Sequence, residues 1–169
     1  MNIFYLSKDP DECARWMVDK HVVKMILETA QLLSTAHRVL DGDENGNLPD
    51  KLINELMYKR THKNHPSAIW ARASDSNYRW LYHHLLALLK EYTYRYGKQH
   101  AVATKGIARL LSHEPSNIKP GRKTPMPSCM DEEYRISEDP VINYRNYYVK
   151  GKSHIHSWKN REPPSWITA

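Results

Sequence analysis

Proline placement constrains the fold of this chain more than any other feature of its sequence. Pro10 and Pro140 follow aspartates, and Pro66 follows a histidine. An aspartate before a proline is typical of a helix start, because the carboxylate caps free backbone N–H groups and the proline suits the first helical position. Four further prolines exclude a regular helix from residues 113–130: Pro115, Pro120, Pro125 and Pro127. The sequence therefore predicts helices separated by one proline-rich loop.

Apolar residues recur at helical spacing between these start signals. We expect helices near residues 10–17, 19–40, 50–60, 66–96, 99–112 and 140–156, after a short extended segment over 3–6. The chain contains no internal repeat, and its 169 residues fit one domain of ordinary size. The predicted fold is a single-domain, all-α helical bundle over residues 1–169, with a proline-rich flap at about 113–130 and an extended C-terminal tail.

Composition excludes several classes of protein. Hydrophobic residues make up 40% of the chain, which is enough for a core and argues against disorder. No apolar run approaches the ~18 residues of a membrane span, and the N-terminal residues do not resemble a signal peptide. Cys13 and Cys129 are too few for a disulfide scaffold, and the six glycines form no phosphate-binding loop. We therefore expect a cytoplasmic protein that needs neither a membrane nor a cofactor.

Charge and aromatic content favour nucleic acid, most simply DNA, or a nucleotide as the partner. The net charge is +6, and the chain has 11 tyrosines and 5 tryptophans. Basic side chains bind phosphates, and aromatic rings stack on bases. The candidate binding residues in the basic C-terminal half are Arg145, Tyr147, Tyr148, Lys152, Trp158 and Arg161. A solvated helix face with packed aromatic side chains explains the same pattern, so both interpretations stay open.

A row of polar residues falls on the apolar side of the predicted helix 66–96. Asn77, His84 and Glu91 are spaced by seven residues, and Arg95 lies on the same side. Burying such groups costs free energy unless each one finds a partner. The row is either an internal hydrogen-bond network or the wall of a polar cleft, and we favour the cleft. In a cleft, Glu91 and His84 are candidate catalytic residues, and Asn77 and Arg95 are candidates for binding.

The predicted helix 19–40 carries a polar stripe opposite its apolar face. His21, Lys24 and Glu28 belong to this stripe. Glu28 is a second candidate acid or base, Lys24 is a candidate amine nucleophile, and His21 is a candidate for binding. Lys24 and Glu28 also form an ordinary i,i+4 pair.

Two further histidines precede the predicted helix at Pro66. His62 and His65 suit an anion, because free backbone N–H groups point outward at a helix start. Imidazoles also bind metals, but the standard zinc motifs are missing from the sequence, and we predict no metal site.

Four segments resemble a family of short, uncharacterised phage and bacterial proteins. They run from Asp19 to Met25, from Tyr58 to Ser67, from Glu91 to Gly97, and from Tyr144 to Tyr148 together with Trp158 to Arg161. The resemblance extends over nearly the whole chain and implies no particular activity.

In size, charge and helical content the chain also resembles phage pyrimidine-dimer DNA glycosylases. That resemblance implies an all-helical fold and a C-terminal Tyr-Tyr and lysine segment that contacts DNA. Members of that family work from their own N-terminal amine after methionine removal. Asn2 disfavours removal of Met1, so we expect the resemblance to extend to the architecture and not to the catalytic amine.

Three functions remain open from the sequence. The first is an enzyme of glycosylase or lyase type that acts on a modified or damaged DNA base, with Glu91 or Glu28 as acid or base and Lys24 as amine. The second is a protein that binds nucleic acid or sequesters a small nucleotide without chemistry. The third is a metal-dependent phosphohydrolase on a helical frame. We favour the first.

Overall fold

Two long helices, α2 (Asp19–Leu40) and α5 (Asp75–Tyr96), form the centre of the fold in a computed structural model that describes residues 1–167. α5 packs against α1, α2 and α4, and α2 also packs against α4. The other helices are α1 (Pro10–Arg15), α3 (Lys51–Leu56), α4 (Pro66–Ala73), α6 (Ala101–Thr104), α7 (Ile107–Leu110) and α8 (Pro140–Gly151). No strand occurs between residues 1 and 167, which confirms the all-α prediction.

The proline signals mark real helix starts. Asp9 and Asp139 each accept a hydrogen bond from the backbone N–H two residues later, and His65 caps α4 in the same way through Ser67 N. Each proline occupies the first position of its helix, where a missing N–H costs nothing.

The predicted single helix over 66–96 is wrong at residue 74. Ser74 has extended backbone angles, and its hydroxyl accepts a hydrogen bond from Asn77 N, so a new helix starts there. Asp75 N–H then donates to Lys119 O in the proline-rich segment. The break is a tertiary effect, because this segment and the serine cap together replace the helical hydrogen bonds at that point.

The predicted helix over 99–112 is also wrong. Two short helices, α6 and α7, replace it, and Gly106 between them has a φ of 78°. Glycine adopts this left-handed conformation without steric cost, so the chain turns there. The remaining helix ends differ from the predicted ones by a few residues: α8, for example, ends at Gly151 and not at 156.

The N-terminal segment enters the core. Ile3, Tyr5 and Leu6 are buried with Phe4, and the segment forms no strand. Phe4 has a φ of 57°, a conformation that costs a bulky residue roughly 1–3 kcal/mol. Its ring stacks on His21 with centroids 4.0 Å apart, and this packing holds the bend.

Residues 113–130 contain no regular helix, as predicted, but they are firmly attached to the body. Thr124 O accepts a hydrogen bond from Trp70 Nε1, and Thr124 N donates to Asn77 Oδ1. Lys123 Nζ donates to Tyr5 Oη at 2.6 Å. The segment therefore runs as a fixed strap across α4 and α5.

The C-terminal part closes the fold around the N-terminal segment. Arg145 on α8 donates through Nε to Leu6 O at 3.0 Å, and its guanidinium lies over the rings of Trp16 and Trp166. Within residues 1–167, no helix has both the length and the apolar composition needed to cross a membrane.

Candidate active site

A cleft of about 630 Å³ opens beside the first residue of the chain. Its walls come from the start of α4, the end of the proline-rich strap, the turn that follows it, and α8. The lining residues are Met1, His65, Pro66, Pro127, Ser128, Cys129, Met130, Asp131, Arg135 and Tyr147.

The α-amino group of Met1 faces a carboxylate from the middle of α2. Met1 N lies 3.6 Å from Glu28 Oε1, and the Glu28 side chain is only 17% exposed. Partial burial strengthens an ion pair, because less water screens the two charges. An amine and a carboxylate therefore meet at the edge of the cleft.

Asn2 fixes the position of this amine. Its Oδ1 accepts hydrogen bonds from Ile3 N at 2.8 Å and from the Tyr144 hydroxyl at 2.7 Å. Its Nδ2 donates to Cys129 O at 2.8 Å. The second residue is thus tied to the strap and to α8, so the first residue has little freedom to move.

His65 presents a second polar group to the cleft. Its Nδ1 accepts a hydrogen bond from Ser67 N at 3.1 Å, so in the neutral ring the proton is on Nε2. Burial, followed by the nearby Met1 amine and His62, lowers the pKa of His65, while Glu28 acts in the opposite direction. His65 can therefore donate a hydrogen bond through Nε2 without carrying a charge.

Aromatic rings and basic side chains form the wall of the cleft on the side of α8. Tyr147 packs against Tyr134 with ring centroids 4.9 Å apart, and Lys152 Nζ lies 5.1 Å from the centre of the Tyr147 ring. A Cβ atom at Gly151 would come within 2.7 Å of the Tyr147 ring and 2.9 Å of Tyr134. The absence of a side chain at Gly151 lets the two rings pack as they do.

Behind this wall, His21 and Tyr148 are buried together. Tyr148 Oη lies 2.6 Å from His21 Nδ1, and Tyr148 is fully buried. Burial, with a contribution from Lys152 and Lys24, lowers the pKa of His21 to about 3, so the ring is neutral at neutral pH. The rings of His21 and Tyr148 both pack against the Phe4 ring, and both side chains are buried.

The polar row on α5 is an internal network and not the wall of a large cleft. Asn77 Nδ2 donates to Trp70 O and to Thr124 Oγ1 in the strap. His84 Nδ1 lies 3.2 Å from Pro10 O in α1, while its Nε2 has no hydrogen-bond partner within residues 1–167. Each residue fastens a different segment to α5.

Glu91 lies within a chain of ion pairs. Arg95 contacts Glu91 and Asp19, each at 2.9 Å, and Arg161 also contacts Glu91 at 2.9 Å. Burial acts to raise the pKa of Glu91, but hydrogen bonds from Arg161 and Arg95 outweigh it and hold the pKa below its usual value. Glu91 is therefore ionised and occupied, and it borders a small cavity of about 160 Å³ on another side of the molecule.

The candidate residues thus lie at the cleft, behind it or elsewhere. His65 and Tyr147 line the cleft, Glu28 contacts Met1 at its edge, and Lys152 lies beside Tyr147. Lys24 and His62 are exposed, and His21 and Tyr148 are buried behind the α8 side of the cleft. Asn77, His84, Glu91, Arg95, Arg145, Trp158 and Arg161 lie in structural networks elsewhere: Trp158 Nε1, for example, donates to Trp16 O. Across residues 1–167, no three His, Cys, Asp or Glu side chains are grouped closely enough to hold a metal ion.

A family model described as pyrimidine dimer DNA glycosylase matches residues 1–104. The chain belongs to this family. Members of the pyrimidine dimer DNA glycosylase family process damaged bases in DNA, and the sequence resemblance to them is thereby confirmed. The comparisons found no matching curated protein and no matching solved structure.

The region matched to the glycosylase family contains one side of the cleft. Met1, Glu28 and His65 lie within residues 1–104, whereas Arg135 and Tyr147 lie beyond them. The α8 side of the cleft therefore comes from a part of the chain that the family model does not cover.

The sequence predicts neither Arg135 nor Gly151 as a site residue. It also predicts that the family's catalytic amine does not carry over, because Asn2 disfavours removal of Met1, and that prediction leaves aside the amine of Met1 itself. A signal for Met1 existed in the apolar segment from Ile3 to Leu6, because burial of that segment draws the first residue against the core. Arg135 and Gly151 carry no local pattern that would separate them from other loop or helix-end residues.

Proposed function

We propose that the protein is a DNA glycosylase that removes a damaged pyrimidine base and uses the α-amino group of Met1 as its nucleophile. The observation that carries this proposal is the 3.6 Å contact between Met1 N and Glu28 Oε1 at the edge of a cleft. Membership of the pyrimidine dimer DNA glycosylase family supports damaged DNA as the substrate.

In the proposed reaction the free amine of Met1 attacks C1′ of the damaged nucleotide. The N-glycosidic bond breaks, its electron pair leaves with the base, and the base takes up a proton. Ring opening then leaves an imine between Met1 and the sugar. Loss of a proton from C2′ expels the 3′ phosphate, so base removal and strand cleavage can follow one another.

Glu28 is the proposed acid–base residue. Its carboxylate lies close enough to accept a proton from the amine and to stabilise positive charge at C1′. Glu91 is less suited to this role, because two arginines already engage its carboxylate.

The remaining cleft residues are proposed to hold the substrate. His65 Nε2 is available as a donor to the sugar or a phosphate, and Arg135 and Lys152 supply positive charge. Tyr147 offers a ring on which a base taken out of the duplex can stack.

Borohydride trapping tests the proposal directly. The protein is incubated with a duplex that contains one cyclobutane pyrimidine dimer, in the presence of sodium borohydride, and the trapped peptide is identified by mass spectrometry. We expect a covalent adduct at Met1. An adduct at Lys24, which is exposed one helical turn before Glu28, would make that lysine the nucleophile and contradict the proposal.

Two variants complete the test. Glu28→Gln should reduce the trapped adduct about 100-fold or more while DNA affinity changes little, and Glu55→Gln on exposed α3 is the matched control. Tight DNA or nucleotide binding with no adduct and no base release would instead favour the sequestering function.

A further inference from the structure

A second cavity lies at the far end of α2 and takes no part in the proposed reaction. It has a volume of about 400 Å³, within the range of ligand-binding pockets. Leu48, Ile53, Met57 and Leu110 form its apolar floor. His37 lines it nine residues after Glu28, which corresponds to about 14 Å along the helix axis.

Helix α3, which lies beside this cavity, exposes apolar side chains to solvent. No residue of α3 is buried, and Leu52 and Leu56 are 64% and 47% exposed. The two leucines are separated by one turn, so they form a continuous apolar strip next to the floor residues. Exposed apolar strips of this kind are typical of interaction sites.

The apolar surface is held in place by a buried arginine. Arg38 donates hydrogen bonds to Gly46 O, Asn54 O and Met57 O in the segment that carries α3. Arg38 lies on α2, and its side chain is only 2% exposed to solvent. A binding surface that is ordered in advance loses less entropy when a partner binds.

The charge around the cavity is opposite to that of the whole chain. Residues 41–57 contain five acidic residues and one lysine, a net charge of −4 in a chain of +6. The acidic rim of the cavity consists of Asp41, Asp50 and Glu114. Arg79 pairs with Glu114, so within residues 1–167 Asp41 and Asp50 are the two rim carboxylates without a cation partner, and no lysine or arginine lines the cavity. Burial lowers the pKa of His37 to about 4, so its neutral ring does not offset these carboxylates at neutral pH.

We propose that the surface formed by α3 and this cavity docks a positively charged amphipathic segment of a partner protein, with an apolar side chain inserted into the cavity. The acidic rim complements lysine and arginine side chains and repels DNA. The docking surface therefore stays free while the cleft beside Met1 holds a substrate.

Fluorescence anisotropy with two labelled model peptides tests the docking surface. Both form amphipathic helices with the same leucines, and their polar positions are all lysine in one and all glutamate in the other. We expect the lysine peptide to bind, with an affinity that falls as salt rises, and the glutamate peptide not to bind. No binding of the lysine peptide, or equal binding of both peptides, would overturn the proposal.

Paired variants locate the site. Leu52→Ser with Leu56→Ser should weaken binding of the lysine peptide at least about tenfold. The control is Ile136→Ser with Ile142→Ser, which changes two isoleucines of similar exposure, 61% and 45%, in another region. Because all four side chains are exposed, both variants should fold, and both should retain DNA trapping. Equal weakening by the control pair would exclude α3 as the site.

Analytical ultracentrifugation separates this partner from a second copy of the chain. We expect the wild-type protein and the Leu52→Ser, Leu56→Ser variant to have the same mass in solution. A wild-type dimer that the variant converts to a monomer would assign the surface to self-association and overturn the proposal.

Discussion

At the scale of single residues, one hydroxyl group connects the start of the chain to α8. The Tyr144 hydroxyl donates to Asn2 Oδ1 and accepts a hydrogen bond from Cys129 N. Tyr144 is fully buried, and burial is the main cause that raises its pKa well above the usual value, so it remains a donor at any working pH. The hydroxyl proton of Tyr144 therefore stays in place to hold Asn2, and through Asn2 it helps to position Met1.

Tyr144→Phe should slow adduct formation about tenfold and lower the free energy of unfolding by about 1–2 kcal/mol, because Asn2 and Cys129 each lose a buried partner. DNA affinity should change little. Single-turnover trapping and urea unfolding measure the two effects. Tyr92→Phe, on the far part of α5, is the matched control, and an unchanged trapping rate in Tyr144→Phe would show that Asn2 does not need this bond.

Gly151→Ala should weaken the binding of damaged DNA by about tenfold through displacement of Tyr147 and Tyr134. The same displacement should also lower the free energy of unfolding by about 1–3 kcal/mol, so affinity is compared at a temperature where the variant is fully folded. Anisotropy with damaged and undamaged duplexes, beside thermal unfolding, measures both. If Tyr147 does not stack on the damaged base, the wild-type protein and Gly151→Ala will bind damaged DNA equally well.

At the scale of secondary-structure elements, α5 organises the molecule through polar contacts that its sequence pattern only partly predicts. Seven-residue spacing correctly placed Asn77, His84 and Glu91 on the buried side. It could not tell a cleft from a network, because the partners are Thr124, Pro10 and Arg161, which are far away in the chain. Helical periodicity describes one helix, and the choice between the two interpretations depends on what packs against it.

Local sequence patterns are likewise insufficient to predict those helix boundaries and site contacts that depend on distant parts of the chain. Aspartate and proline signals are local, and they located the starts of α1 and α8 correctly. The break at Ser74 depends on Lys119, and the cleft depends on Met1 and Glu28 meeting across the fold. Glu28, His65 and Tyr147 are predicted as polar or aromatic residues in suitable segments, but the placement of His65 and Tyr147 in one cleft, with Glu28 against Met1 at its edge, depends on tertiary structure.

Glu91→Gln should destabilise the protein by about 1–3 kcal/mol, because Arg95 keeps the Asp19 carboxylate but loses its ion pair with Glu91, and Arg161 loses the same partner. Chemical denaturation measures this loss. Trapping assays at a temperature where the variant is still folded should show an adduct yield close to that of the wild type. A folded Glu91→Gln protein without adduct would instead assign Glu91 to the reaction.

At the scale of the whole molecule, three buried histidines link stability to pH. Burial lowers the pKa of His21 to about 3 and those of His37 and His84 to about 4, from 6.5 when unfolded. Between the folded and unfolded pKa values, these histidines therefore bind protons in the unfolded chain but not in the folded one. Stability is complete above about pH 6.5 and is lost as the pH falls towards the folded values.

The free energy of unfolding should fall by about 1.4 kcal/mol per pH unit for each of these histidines between about pH 6 and pH 4.5. Urea unfolding at several pH values in this window measures the slope. His84→Phe should reduce the slope by about one third, whereas His154→Phe, at an exposed position, should leave it unchanged. A wild-type stability that does not vary across the window would contradict this account.

The proposed role of the Met1 amine has a practical consequence for the production of this protein. Any polypeptide fused ahead of Met1, including a purification tag, turns the amine into an amide, whose nitrogen lone pair is delocalised and no longer nucleophilic. N-terminal acetylation has the same effect. If Met1 is the nucleophile, as proposed, such a preparation should fold and bind DNA yet release no base, and proteolytic removal of the fusion should restore activity only where the cut leaves Met1 as the first residue.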